Sequence, residues 1–127
     1  MEGHKTVLVC EDEETVRTLA GRILERAGYT VLSAESGASA LSIAAVHSGT
    51  IHILVTNVVM PGMNGQELAE ALRATRPDTK VLYVSGCAVE AVARQSVSDK
   101  NGLVLEKPFT VRSLLEGVRL TLGGGKR

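Results

Sequence analysis

Rings are scarce in this chain. Only Tyr29, Tyr83 and Phe109 are aromatic among 127 residues, and tryptophan is absent, which removes the stacking platform that bases or a flavin ring would use. The two cysteines, Cys10 and Cys87, stand far apart with no CxxC spacing. That is the pattern of free thiols in a reducing cytosol, not of a disulfide framework. Net charge is zero, from 14 basic and 14 acidic residues, so the basic excess that drives nucleic-acid binding is missing. No apolar run approaches the roughly 20 residues of a membrane span, and no charged-then-apolar leader opens the chain. The expectation is a cytoplasmic domain with no nucleic acid and no membrane among its partners. His4, His47 and His52 have no ligand spacing and are assigned no metal.

Apolar residues make up 44% and charged residues 22%, the profile of a soluble folded domain. At this length the chain forms one domain and needs no disulfide or structural metal to bury a core. The zero total hides an asymmetry. Residues 1–63 carry seven acids and four bases, whereas 64–127 carry seven acids and ten bases. The acids concentrate in the run Glu11-Asp12-Glu13-Glu14.

The apolar pattern alternates between strand and helix. Thr6–Cys10 is a short β-branched run; Val16, Leu19, Ala20, Ile23, Leu24 and Ala27 then follow helical spacing, closed by Gly28. Thr30–Ala34 reads as a second strand, and Ser36-Gly37 opens a helix through Leu41, Ala44 and Ala45. Ile51–Thr56 is a third strand, apolar on both faces and so buried by helices on each side. A breaker-rich turn, Met60–Gly65, precedes a helix carried by Leu68, Ala71 and Leu72. Lys80–Ser85 is strand four, Val89, Val92, Ala93 and Val97 mark a weaker fourth helix, and Leu103–Leu105 is strand five. Val111, Leu114, Leu115, Val118 and Leu122 pattern the last helix, with every one of them facing the sheet. Such alternation implies a parallel sheet with helices on both faces.

In sheets of this kind, ligands sit outside the carboxyl ends of the strands where the strand order reverses. The residues ending the strands are Glu11-Asp12, Asn57, Ser85-Gly86 and Lys107-Pro108. Two carboxylates, an amide, a hydroxyl and an ammonium thus converge on one rim. Paired carboxylates suit a hard cation such as Mg²⁺, and a lysine with a hydroxyl suits the oxygens of a phosphoryl group. Each residue also has a plainer role: the acids as the first turn of a helix, where they favour its dipole, Ser85 as a loop cap, and Lys107 as a surface charge. Glu13 and Glu14 are assigned that plainer role; the others are read as one site. A small flavin or nucleotide carrier is disfavoured, because four acids follow the first strand and no GxGxxG follows any strand.

Five ordered stretches carry a family resemblance: Val7–Glu13 (VLVCEDE), Ala27–Val31 (AGYTV), Ile53–Gly65 (ILVTNVVMPGMNG), Lys80–Gly86 (KVLYVSG) and Glu106–Thr110 (EKPFT). Together they resemble the receiver domain of bacterial two-component response regulators over essentially the whole chain. The style of Val58–Gly65 and Lys107–Thr110 is similar to receivers of hybrid histidine kinases. The resemblance implies a doubly wound (βα)5 flavodoxin-like α/β sandwich with a parallel sheet of order 2-1-3-4-5, spanning 1–122, with 123–127 as a flexible tail. It implies Mg²⁺ held by Glu11, Asp12, the residue at 57 and the backbone carbonyl of Val59. It also implies a hydroxyl contact from Ser85, a phosphoryl-binding Lys107, and a cis bond to Pro108. Two positions depart from the family pattern. Asn57 stands where the phospho-accepting aspartate belongs, and Val104 stands where the family carries its switch aromatic.

The expected function is phosphorelay signalling rather than enzymatic turnover, with acceptance of a phosphoryl group disabled and Mg²⁺ weakened by Asn57. The expected partners are a histidine kinase or a histidine phosphotransfer protein. A homodimer or output partner would use the face formed by the fourth helix, fifth strand and fifth helix. The alternative is a naturally degenerate receiver that acts as a phosphorylation-independent interaction module.

Overall fold

The computed structural model describes residues 5–86 and 103–124. The helix expected over 89–97, together with Cys87, lies outside the described residues. The observed elements are β1 (Thr6–Cys10), α1 (Glu14–Arg26), β2 (Thr30–Ala34), α2 (Gly37–Val46), β3 (Ile53–Asn57), α3 (Gly65–Thr75), β4 (Lys80–Ser85), β5 (Leu103–Glu106) and a C-terminal helix (Val111–Arg119). The strands form one sheet in the order β2-β1-β3-β4-β5, and every adjacent pair is parallel. This is the doubly wound order implied by the resemblance.

Period-two alternation sorts the strand side chains onto two faces. Leu8, Cys10, Leu54 and Tyr83 pack with Ala40 and Ala44 of α2 and Leu68, Ala69 and Leu72 of α3. Val7, Val9, Ile53, Val55, Leu82 and Val84 pack with Ala20, Ile23 and Leu24 of α1 and Leu114 and Val118 of the C-terminal helix. The central strands β1 and β3 are buried along their whole length. Each fully buried Leu or Val there contributes about 1.5–3 kcal/mol relative to exposure.

The helix ends follow local chemistry. Gly28 (φ 102°) takes the left-handed conformation beyond α1. That lets the Gly28 and Tyr29 N–H groups donate to the Glu25 and Leu24 carbonyls, the double closure that glycine allows. Ser36 caps α2, and Asn64 with Glu67 forms a reciprocal capping box on α3. Thr110 and Ser113 do the same for the C-terminal helix.

Several expected boundaries and orientations need correction. The third strand begins at Ile53, not Ile51, and includes Asn57; Ile51 is buried, but its carbonyl accepts from the Thr79 hydroxyl instead of joining the ladder. Strand five extends to Glu106, paired with Ser85. The regular part of the last helix stops at Arg119, followed by a wider π-type turn, Leu120–Gly124, in which Gly123 has φ 106°. Val111, expected against the sheet, is 57% exposed, and Leu19, part of the first helix's apolar spacing, is 50% exposed. Val111 is the first residue of its helix, and Leu19 borders a shallow apolar groove with Val16 and Phe109.

Candidate functional site at the carboxyl ends of the strands

β1 and β3 lie side by side, and the chain crosses to opposite directions of the sheet from them. Their carboxyl ends therefore form the crevice where strand order reverses. Asn57 ends β3, Glu11 and Asp12 follow β1, Ser85 ends β4, and Lys107 follows β5. The structure brings these five residues to one rim. The Glu11, Asn57 and Ser85 side chains are buried, at 4%, 5% and 1% exposure, while Asp12 is exposed.

The Asn57 carboxamide stands at the centre. Its Nδ2 donates to Glu11 Oε2 at 2.9 Å and to Asp12 Oδ1 at 2.8 Å. Both amide hydrogens are thus used on two carboxylates. The opposite orientation would aim a carbonyl oxygen at two anions, so the chemistry fixes the direction of the amide. Glu11 is held further. Its Oε2 accepts the Glu13 N–H at 3.0 Å, and its Oε1 lies 3.3 Å from the Lys107 ammonium. Asn57 Oδ1 and Ser85 Oγ have no hydrogen-bond partner among the described residues. Buried polar atoms left so are uncommon and mark a place poised to contact something else.

The backbone around the rim is braced by residues to which sequence reasoning gave no role at the site. Arg17 on α1 donates from Nη1 to the Glu11 carbonyl at 2.9 Å, which fixes the turn carrying both acids. Gly65 donates its N–H to the Val58 carbonyl at 2.8 Å, tying α3 to the residue after Asn57. The Cys10 thiol donates to Met60 Sδ at 3.6 Å, anchoring the loop beyond Asn57 to β1. Burial pushes the Cys10 thiol up to about 11, with the Thr56 hydroxyl opposing the shift. A thiol held so stays protonated and serves packing rather than nucleophilic chemistry. Charged-to-backbone contacts such as that of Arg17 leave no signal in sequence, because the acceptor is a carbonyl common to every residue.

The remaining predicted positions fall as follows. The Lys107–Pro108 bond is cis, as implied. Val59 is exposed at the rim, immediately after buried Val58. Val104 is half-buried on β5, in register with Tyr83 of β4. The phenol of Tyr83 is fully buried, and burial pushes it up to about 12.

The residues present do not fit a divalent cation as they stand. Asn57, which would supply a further oxygen, turns its Nδ2 rather than its Oδ1 toward Glu11 and Asp12. The oxygens such an ion would take are already occupied by the Asn57 amide and Lys107. What the arrangement can do without rearrangement is hold an acid pair engaged by internal donors, with the buried Ser85 hydroxyl at the same rim.

The response regulator receiver domain profile matches residues 7–119. The chain is 43% identical over 119 residues to the sensor kinase CckA of Brucella abortus, covering 94% of this chain but 13% of that protein. It is 34% identical to the response regulator receiver protein CpdR of the same organism, over 93% of this chain and 97% of that one. Among solved structures, the receiver domain of the hybrid histidine kinase CckA matches with a TM-score of 0.76 at 32% identity, over 92% of this chain and 98% of that chain. A receiver domain from Clostridium thermocellum matches the fold with a TM-score of 0.83 at 24% identity, over 97% of this chain and 98% of the other.

Proposed function

This chain belongs to the response regulator receiver domain family, and from that membership we propose that it serves a two-component phosphorelay as a receiver that takes no phosphoryl group. The observation that carries the reading is the Asn57 amide bound to both Glu11 and Asp12. An amide oxygen is a poor nucleophile, and the carboxylate that would attack a phosphodonor is absent from this position. Ser85 and Lys107 retain the hydroxyl and ammonium suited to phosphoryl oxygens. Glu11 and Asp12 keep their carboxylates, but the Asn57 amide and Lys107 engage them, so any hold on Mg²⁺ is weakened. Replacing a carboxylate by an amide removes one charge, worth about 4 kcal/mol per unit of cation charge at ~4 Å and an effective dielectric of ~20, before desolvation offsets it.

In this reading residues 1–122 are the receiver and 123–127 its tail. The chain is cytoplasmic and acts by binding rather than by turnover. No described helix is long and apolar enough to cross a membrane. Receiver domains meet histidine kinases or phosphotransfer proteins, and such a protein is the proposed partner here. A homodimer or output partner would dock on the face of β5 and the C-terminal helix; the fourth helix expected on that face lies outside the described residues.

A second reading, a degenerate receiver signalling through binding alone, is favoured by Val104. That residue offers no ring to rotate when the site is loaded. One experiment tests both. Affinity for a histidine phosphotransfer protein is measured with and without acetyl phosphate, for the parent and for Asn57→Asp. Both readings require binding by the parent that the phosphodonor leaves unchanged; a phosphodonor effect on the parent contradicts both. A phosphodonor effect on Asn57→Asp supports the phosphorelay reading, and its absence supports the interaction module.

A further inference from the structure

We propose that the Asn57 carboxamide is an internal stand-in for a cation, closing the rim to divalent metal and holding the acid pair in one fixed arrangement. The inference deepens the functional reading above and rests on it. Two carboxylates side by side, Glu11 buried and Asp12 at the exposed lip, repel each other and favour a positive partner. Here that partner comes from within the chain. The two Asn57 N–H groups reach Glu11 and Asp12 at 2.9 and 2.8 Å, and the Lys107 ammonium lies 3.3 Å from the other oxygen of Glu11.

Hydrogen bonds to ionised acceptors are roughly twice as strong as neutral ones, and burial strengthens them further. A magnesium ion arriving at this rim meets a lower charge than an aspartate at 57 would present. It must also displace both amide contacts. Doing so costs the amide the two charge-assisted contacts its N–H groups make, with at best the neutral Ser85 hydroxyl to replace one of them. Magnesium dehydrates reluctantly and demands near-octahedral geometry, so competition from preformed donors weighs heavily against it. The consequence is a rim whose acids are both hydrogen-bonded from within the chain, ordered and independent of metal. That state suits a partner that recognises one unvarying surface.

Charge loss alone and amide competition make different predictions for Asn57→Ala. This variant has the same formal charge as the parent but no donor on the acids. Thermal midpoints are therefore compared in EDTA and in millimolar MgCl₂ for the parent, Asn57→Ala and Asn57→Asp. The expected order of magnesium response is parent smallest, Asn57→Ala intermediate and Asn57→Asp largest, with a rise of several degrees in the last, as ligand linkage requires. A parent response equal to or larger than that of Asn57→Ala overturns the proposal. If Asn57→Ala does not fold, the parent alone decides by ¹⁵N spectra. The side-chain NH₂ pair of Asn57 should keep its shifts through a magnesium titration, and movement of those signals at millimolar magnesium overturns the proposal. Failure here leaves the phosphorelay reading intact, since a parent that binds magnesium and still gains no phosphoryl mass contradicts only the stand-in role.

Discussion

Gly65, the first residue of α3, packs against the backbone carbonyl of Asn57 so closely that a Cβ there would collide with that oxygen and crowd Val58 Cα. The helix start and the site residue are thus fitted to each other through backbone alone. Gly65→Ala has no flexible neighbour to displace, so it must move β3 or α3. A loss of about 1–3 kcal/mol in chemical denaturation is expected, the range for overpacking a tight contact. A loss under about 0.5 kcal/mol would mean the contact is softer than described.

Arg76, which ends α3, donates to three carbonyls at the end of α2: Ala44 at 3.0 Å, His47 at 2.8 Å and Gly49 at 2.9 Å. The Ala44 and His47 carbonyls are among those that a helix terminus leaves without internal partners, and Gly49 lies in the loop beyond. Arg76→Ala should cost about 1.5–3 kcal/mol, as for hydrogen bonds to a charged group. Arg76→Lys should recover only part of that, since an ammonium lacks the planar fork. Full recovery by lysine in denaturant titrations would contradict the clamp.

How much of this was legible in sequence depends on the kind of interaction. The apolar runs of β1, β3 and β4 specified a sheet buried on both faces, and the glycine and proline breaks located its turns. The five rim residues were legible because strand ends in such sheets point to one place. Leu19 and Val111 show where periodicity fails: helical spacing marks a face but does not say how far the sheet extends beneath it. Arg17 and Arg76 were invisible because their acceptors are carbonyls. The direction of the Asn57 amide depends on Glu11 turning inward, and a run of four acids does not reveal which one is buried.

His52 accepts the Thr6 N–H through Nδ1 at 2.9 Å, which pins the start of β1 to the residue before β3. Desolvation and, second, the nearby Lys5 charge hold this histidine below its usual range. The folded state therefore binds its proton less readily than the unfolded chain. The resulting stabilisation is fully present above the unfolded value near 6.5 and fades as pH falls through the lower folded value. His52→Asn keeps an acceptor without the titration. Its thermal midpoint should fall less than the parent's between pH 7.5 and 5. Identical slopes would remove His52 as the source.

Arg112 and Arg119 lie on one side of the C-terminal helix, both exposed. Exposed charges contribute little stability, though Arg119 sits in the last turn, where a cation favours the dipole. Reversing both to glutamate should change stability by about 1 kcal/mol or less. It should slow association with a histidine phosphotransfer protein most strongly at low salt, the signature of rim charges. An unchanged association rate at low salt would place docking on another face.

The most direct measurement is intact mass after incubation with acetyl phosphate and MgCl₂, made on the parent and on Asn57→Asp in parallel. The parent should keep its mass, because position 57 offers an amide and no carboxylate nucleophile. Asn57→Asp should gain one phosphoryl group, with Ser85 and Lys107 already at the rim to receive its oxygens. A phosphoryl adduct on the parent, or none on Asn57→Asp, would contradict the assignment of Asn57 as the altered acceptor.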